Sequence, residues 1–238
     1  LSKHNYRVIM IDIPPFGFSK RSTSSEYSRS SQAKRILNTL KNMNILKPII
    51  LGHSFGGGPA IEAVMLDQLY FKSLILVDSA LGLDSINDIV EVPFILKNKI
   101  IRNSLVSTFV TNPLMTKFLL KSLIYQKDMA KDKYIKILQE PMILMNSTND
   151  IGEWLKYLIL PERNALSSTL SNYNKFVIPV DIIWGEKDTV TPLDQGQQIN
   201  SLIKDSTLNI LKDVGHIPQI EDPIKFQILL LEILKSRN

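Results

Sequence analysis

Cysteine is absent from the 238 residues, which removes disulfide frameworks and thiolate chemistry together. The absence fits a reducing cytoplasm, the location expected here. Long apolar runs are missing too. A membrane span needs roughly 18 consecutive apolar residues, and the run at residues 228–231 stops at Glu232. A spanning protein is not expected. Arginine is scarce: seven of the 28 basic residues are Arg and the rest are Lys, for a net charge of +5. Nucleic-acid and phosphate sites favour clustered Arg forks, so no nucleic-acid partner is expected. One Lys-rich stretch (Lys117, Lys121, Lys127, Lys131, Lys133, Lys136) suggests a membrane-surface contact. Asp128 and Asp132 interrupt it, and it reads as a solvated face instead.

The chain is 44% hydrophobic and 21% charged, an ordinary globular balance for one large domain or a domain with an insertion. Short apolar runs alternate with helical periodicity, the pattern of α/β architecture. Strands are expected at residues 7–12, 49–52, 74–78, 179–184 and 207–211. Helices are expected around Ile36, Leu37, Leu40 and Met43, which share one face, and at about 55–69, 193–203 and 223–235. Residues 79–176, rich in Leu, Ile, Lys and Asn, carry helical spacing and no comparable strand. A mostly parallel sheet flanked by helices and interrupted by a helical insertion is the simplest arrangement. The expected boundaries are 1–78 and 177–238 for the two core parts and 79–176 for the insertion.

Directly after the 49–51 strand stands Gly52-His53-Ser54-Phe55-Gly56, followed by Gly57 and Gly58. In G-x-S-x-G the glycines permit a sharp strand-to-helix turn that projects the serine from the tip of the strand. The same turn sets Ser54 near a helix N-terminus, where the Phe55 amide can face a developing oxyanion. A phosphate cradle fits poorly: no Lys-Ser or Lys-Thr follows the glycines, and G-x-G-x-x-G is absent.

Three histidines compete as the base. His4 lies in a polar N-terminal segment. His53 is beside the nucleophile, where its ring should point away from Ser54 and pack. His216, in Val214-Gly215-His216-Ile217-Pro218, follows the last expected strand at the sheet edge where Ser54 emerges. For the acid, Asp188 in Trp184-Gly185-Glu186-Lys187-Asp188 is at the same edge. Asp78, also at a strand end, is the alternative, with capping of the insertion as its other role. Glu186 leaves the strand too early. The chain order Ser54, Asp188, His216 favours Asp188 as the group that orients His216.

Together these motifs resemble the α/β-hydrolase superfamily, particularly its esterase-like branch with a helical cap, over nearly the whole chain. Residues 12–19 (DIPPFGFS) are similar to the segment after the family's fourth strand. Residues 52–57 are similar to the nucleophile elbow, 185–188 with Pro192 to the acid turn, and Gly215-His216 with Glu221 and Pro223 to the histidine loop. The resemblance implies that 79–176 is the cap over the pocket. It implies a serine hydrolase acting on a small-molecule carboxylic ester or related acyl compound, with no metal or organic cofactor. C–C bond hydrolysis or perhydrolysis on the same three residues is the alternative within the fold; a non-catalytic remnant or ligand-binding protein is the alternative outside it. Pro15 stands where the family usually has Gly, and Pro59 comes early in the helix behind the elbow. The family's first three strands and its His-Gly oxyanion loop have no counterpart here. The Phe55 amide is then one oxyanion donor, and the second has no residue in this sequence. The 7–12 strand is expected to pair with 49–52 or to stand beside a gap, leaving exposed edges that favour aggregation.

Overall fold

The computed structural model describes residues 1–21, 26–83, 93–159, 162 and 164–237. Four strands, β1 (Ile49–His53), β2 (Ser73–Val77), β3 (Val180–Gly185) and β4 (Ser206–Leu211), form one sheet in the order β1-β2-β3-β4. All three pairings are parallel, with Ile49 opposite Ser73, Leu74 opposite Val180 and Val180 opposite Ser206. Every residue of β2 and β3 is buried, because helices cover both faces of a parallel sheet. That double burial is why these two strands read as mostly apolar runs, with Asp181 the one charged residue inside them.

Alternate side chains serve two cores, as the period of two requires. Leu74, Leu76, Ile182 and Trp184 pack with α1 (Arg29–Asn42), α2 (Gly57–Leu66) and, further along the chain, the helix at Leu193–Leu202. Ile75, Val77 and Ile183 face the other way, against Leu230, Ile233 and Leu234 of the C-terminal helix Pro223–Ser236. The Ser28 hydroxyl caps α1 by accepting the Ser31 N–H, and Ile36, Leu37 and Leu40 form its buried stripe.

Between β2 and β3 the described residues are helical and contain no strand. The helices are α3 (Phe94–Lys97), α4 (Lys99–Leu105), α5 (Thr116–Leu123), α6 (Asp132–Gln139) and α7 (Ser147–Ile159), joined by short 3₁₀ turns. One π-helical turn, Val106–Val110, continues α4. Buried polar contacts tie this segment to the sheet domain. Glu62 of α2 accepts the N–H groups of Leu166 and Ser167 at 3.0 and 2.8 Å, and Tyr27 donates to Asp150 at 2.8 Å. After β3 come α8 (Leu193–Leu202), then β4, α9 (Pro218–Glu221) and α10 (Pro223–Ser236). Among the described residues no helix is long and apolar enough to cross a membrane.

One expected strand is not formed. Residues 7–12 adopt no regular structure and join no ladder, leaving β1 as the sheet edge. They run instead beside α1, and a groove of about 470 Å³ lined by Ile9, Ile11, Asp12, Gln32, Ile36 and Thr39 separates the two. The apolar pattern was real, since Ile9 and Ile13 touch the core. Strand formation also needs a neighbour to exchange N–H and C=O bonds, and none of the four strands pairs with these residues. Along the same edge Leu51 stays 41% exposed.

Candidate active site

The turn after β1 is built by close packing. A Cβ on Gly52 would lie 2.6 Å from the Gly56 carbonyl and 2.7 Å from the Ala60 side chain, and one on Gly57 would lie 2.2 Å from the Ser79 hydroxyl. Gly56, in contrast, has open space where a Cβ would go. Between them Ser54 takes the left-handed backbone, φ 50°, which costs a non-glycine residue roughly 1–3 kcal/mol. The Ser54 carbonyl accepts the Ala80 N–H at 2.9 Å, and the Ser79 hydroxyl donates to the Gly52 carbonyl at 3.1 Å. These bonds from the segment just beyond β2 hold the strained turn. Ser54 and Phe55 begin the 3₁₀ turn Ser54–Gly56 that leads into α2.

The structure brings Ser54, His216 and Asp188 together at the C-terminal edge of the sheet. His216 Nε2 is 2.7 Å from Ser54 Oγ, and His216 Nδ1 is 2.8 Å from Asp188 Oδ2. His216 and Asp188 are buried, while Ser54 is half-exposed. Asp188 Oδ1 accepts the N–H groups of Val190 and Thr191 at 2.7 and 3.0 Å, and Oδ2 accepts the Thr191 hydroxyl at 2.7 Å. Burial pushes the Asp188 pKa up, but the hydrogen bond and charge of His216 and the bonds from Thr191 outweigh it and hold the group below its usual value. An ionised Asp188 requires Nδ1–H on His216, which leaves Nε2 free to accept the serine proton.

The other candidates separate. Asp78 makes no hydrogen bond to His216; its Oδ1 accepts the Gly185 N–H at 2.7 Å, so it braces the neighbouring strand end, and the start of the insertion that it was expected to cap lies partly outside the described residues. Glu186 pairs with Lys187 and accepts the Asp213 N–H. His4 is exposed. His53 has more to do than packing: its Nε2 is 2.7 Å from the His216 carbonyl. Burial first, and then the neighbouring His216, push the His53 pKa down to about 4, so the ring is neutral and its Nε2–H donates to that carbonyl.

Two contributors were not assigned from sequence. Thr191 fixes Asp188 from both backbone and side chain, and its hydroxyl is also 3.1 Å from the Asp78 carbonyl. The only hint is its place beside Pro192, three residues after Asp188. Glu221, noted only as part of a motif, accepts the N–H groups of Gly215 and Ile217 on either side of His216, at 3.0 and 3.2 Å. It also accepts those of Tyr125 and Gln126 in the insertion, at 2.8 and 2.9 Å. From the insertion, α7 brings Trp154 edge-on to Phe55, the residue after Ser54, and to Phe16, with ring centroids 4.9 and 4.7 Å apart. Val110, Met142 and Leu155 complete this apolar cluster.

A parallel α/β sheet with serine, histidine and aspartate linked at its C-terminal edge is an arrangement able to carry nucleophilic catalysis. The chain belongs to the α/β-hydrolase fold family, whose model matches residues 1–223, and it is a hydrolase of that fold. It is 25% identical over 227 residues to an uncharacterized hydrolase, YugF, of Bacillus subtilis, covering 94% of this chain and 78% of that protein. It is 24% identical over 222 residues to Lipase 1 of Psychrobacter immobilis, covering 91% of this chain and 65% of the lipase. A solved meta-cleavage product hydrolase from Pseudomonas fluorescens superposes with a TM-score of 0.72 at 22% identity, over 94% of this chain and 77% of that one.

Proposed function

We propose that the protein cleaves a carboxylic ester or related acyl bond through an acyl-Ser54 intermediate. The observation that carries this reading is the continuous pair of hydrogen bonds from Ser54 Oγ to His216 Nε2 and from His216 Nδ1 to Asp188 Oδ2. Ser54 Oγ attacks the acyl carbon while His216 takes its proton at Nε2, and Asp188 stabilises the imidazolium. The tetrahedral oxyanion receives the Phe55 N–H. Collapse expels the alcohol, protonated by His216, and leaves the acyl group on Ser54. A water then gives its proton to His216 and attacks the acyl carbon, and breakdown of the second tetrahedral species frees the acid and Ser54.

In the same reading, residues 1–78 and 177–238 are the core, and 79–176 is the cap. Trp154, Phe55 and Phe16 then form an apolar wall beside the nucleophile, which suits an apolar acyl or alcohol group. Purified protein treated with a fluorophosphonate should label at Ser54, and His216→Ala should abolish labelling. Esters of graded acyl length then give the preference; C–C cleavage of a vinylogous diketone without ester turnover would transfer the same three residues to the other reaction. An intact fold with no labelling of Ser54 would overturn the proposal.

A further inference from the structure

Asp78 is a buried carboxyl that the chemistry above does not use. It stands one residue beyond β2, fully enclosed, with its backbone left-handed at φ 42°. Its Oδ1 has a donor in the Gly185 N–H. Its Oδ2 is buried, and among the described residues no donor reaches it. The charged groups facing it are both negative: Asp188, within hydrogen-bonding reach on the turn after β3, and Glu221 on α9. Two carboxylates cannot hydrogen-bond while both are ionised, because each then only accepts. One proton on Asp78 removes the conflict, since Oδ2–H gains an acceptor and the repulsion disappears.

We propose that Asp78 is a neutral carboxylic acid that donates its Oδ2–H to the Asp188 carboxylate, and so acts as a positioning residue for His216. This rests on the reading of Asp188 as the acid of the triad. Burial pushes Asp78 up to about 9, and the charge of Asp188 adds to it against the pull of the Gly185 N–H. Asp188 moves the other way, so the pair divides into one acid and one carboxylate. A carboxylate has about four acceptor sites. Val190 N–H, Thr191 N–H and His216 Nδ1–H fill three of them on Asp188. The Thr191 hydroxyl and Asp78 compete for the fourth. The hydroxyl has a second acceptor in the Asp78 carbonyl at 3.1 Å, so turning toward it frees the site for Asp78. A neutral neighbour fixes the rotamer of Asp188 without adding a second negative charge next to the histidine.

The test compares two substitutions at this position. Asp78→Ala removes both bonds and should lower kcat about tenfold with KM unchanged, the size of one lost hydrogen bond to a charged group. Asp78→Asn keeps an acceptor for Gly185 and offers an N–H to Asp188, so it should restore kcat and leave the acid limb of the pH profile in place. The wild type should show a protonated-carboxyl C=O infrared band at pH 7 that Asp78→Asn lacks. Absence of that band would overturn the inference, as would full activity of Asp78→Ala. A downward shift of the acid limb in Asp78→Asn by about half a unit or more, the mark of a lost negative charge, would do the same. If Asp78→Ala does not fold, the band and the Asn profile decide. The infrared band needs no turnover, so a protein that fails to label at Ser54 refutes the hydrolase mechanism separately.

Discussion

Raising the pH from about 6.5 to about 9 should destabilise the fold through Asp78. In the unfolded chain its carboxyl has an ordinary value of 3.8, and in the folded chain about 9. Over that interval the native state holds a proton that the unfolded state has lost, so stability falls as pH rises. His53 acts in the opposite sense: its ordinary value of 6.5 drops to about 4 on folding. Between about 4 and 6.5 the unfolded chain therefore binds the extra proton, and stability gained at His53 offsets stability lost at Asp78. Above about 6.5 only the Asp78 effect remains, at about 1.4 kcal/mol per pH unit. Over about 2.5 units this amounts to roughly 3 kcal/mol, or a fall in Tm of roughly 6–12 °C for a chain of this size. Asp188, held low, acts only below this range. Thermal unfolding across the series should show a plateau up to about pH 6.5 and then a decline. Asp78→Asn should abolish the decline, and His53→Gln should extend it down toward pH 4. A wild-type Tm that is flat from 6.5 to 9, or an unchanged slope in Asp78→Asn, would refute the reasoning.

Gly52→Ala should misfold or lose activity, because its Cβ meets backbone on two sides, whereas Gly56→Ala should be accommodated; soluble yield and fluorophosphonate labelling compare them. Asp188→Asn should reduce kcat by about 10⁴ by favouring the wrong histidine tautomer, measured on whichever ester the panel selects. Trp154→Ala should cost about 3–5 kcal/mol by emptying the aromatic cluster and should shift acyl-length preference, read from denaturant unfolding and from KM across the panel. Leu51→Lys, on the open edge of β1, should reduce aggregation with little change in Tm, as light scattering would show.

The buried strands were the most legible part of the fold. β2 and β3 are covered on both faces, so their sequences are apolar apart from Ser73 and Asp181, and Arg237 pairs with the buried Asp181 carboxylate. Residues 7–12 carry a similar pattern and form no ladder, because side-chain burial and strand pairing are separate requirements and only the first is written in the residues themselves. The linked site residues were legible from glycine placement and chain order. Thr191 and His53 were harder, since each works through a bond to a backbone or carboxylate group that many residues could occupy. Asp78 was seen as a competitor for the acid. Its actual surroundings depend on β2 and β3 being adjacent, a relation no local motif expresses.

The hydrogen bond from His53 to the His216 carbonyl spans 163 positions of sequence, and Ser54 to His216 spans 162. Neither can close until β1 and β4 have both joined the sheet, and contacts of such separation form late because loop closure precedes them. The serine is therefore an ordinary alcohol for most of the time the chain spends folding. Backbone order should return before reactivity when the denatured protein is diluted into buffer. A partly folded molecule thus lacks the hydrogen bond between Ser54 and His216.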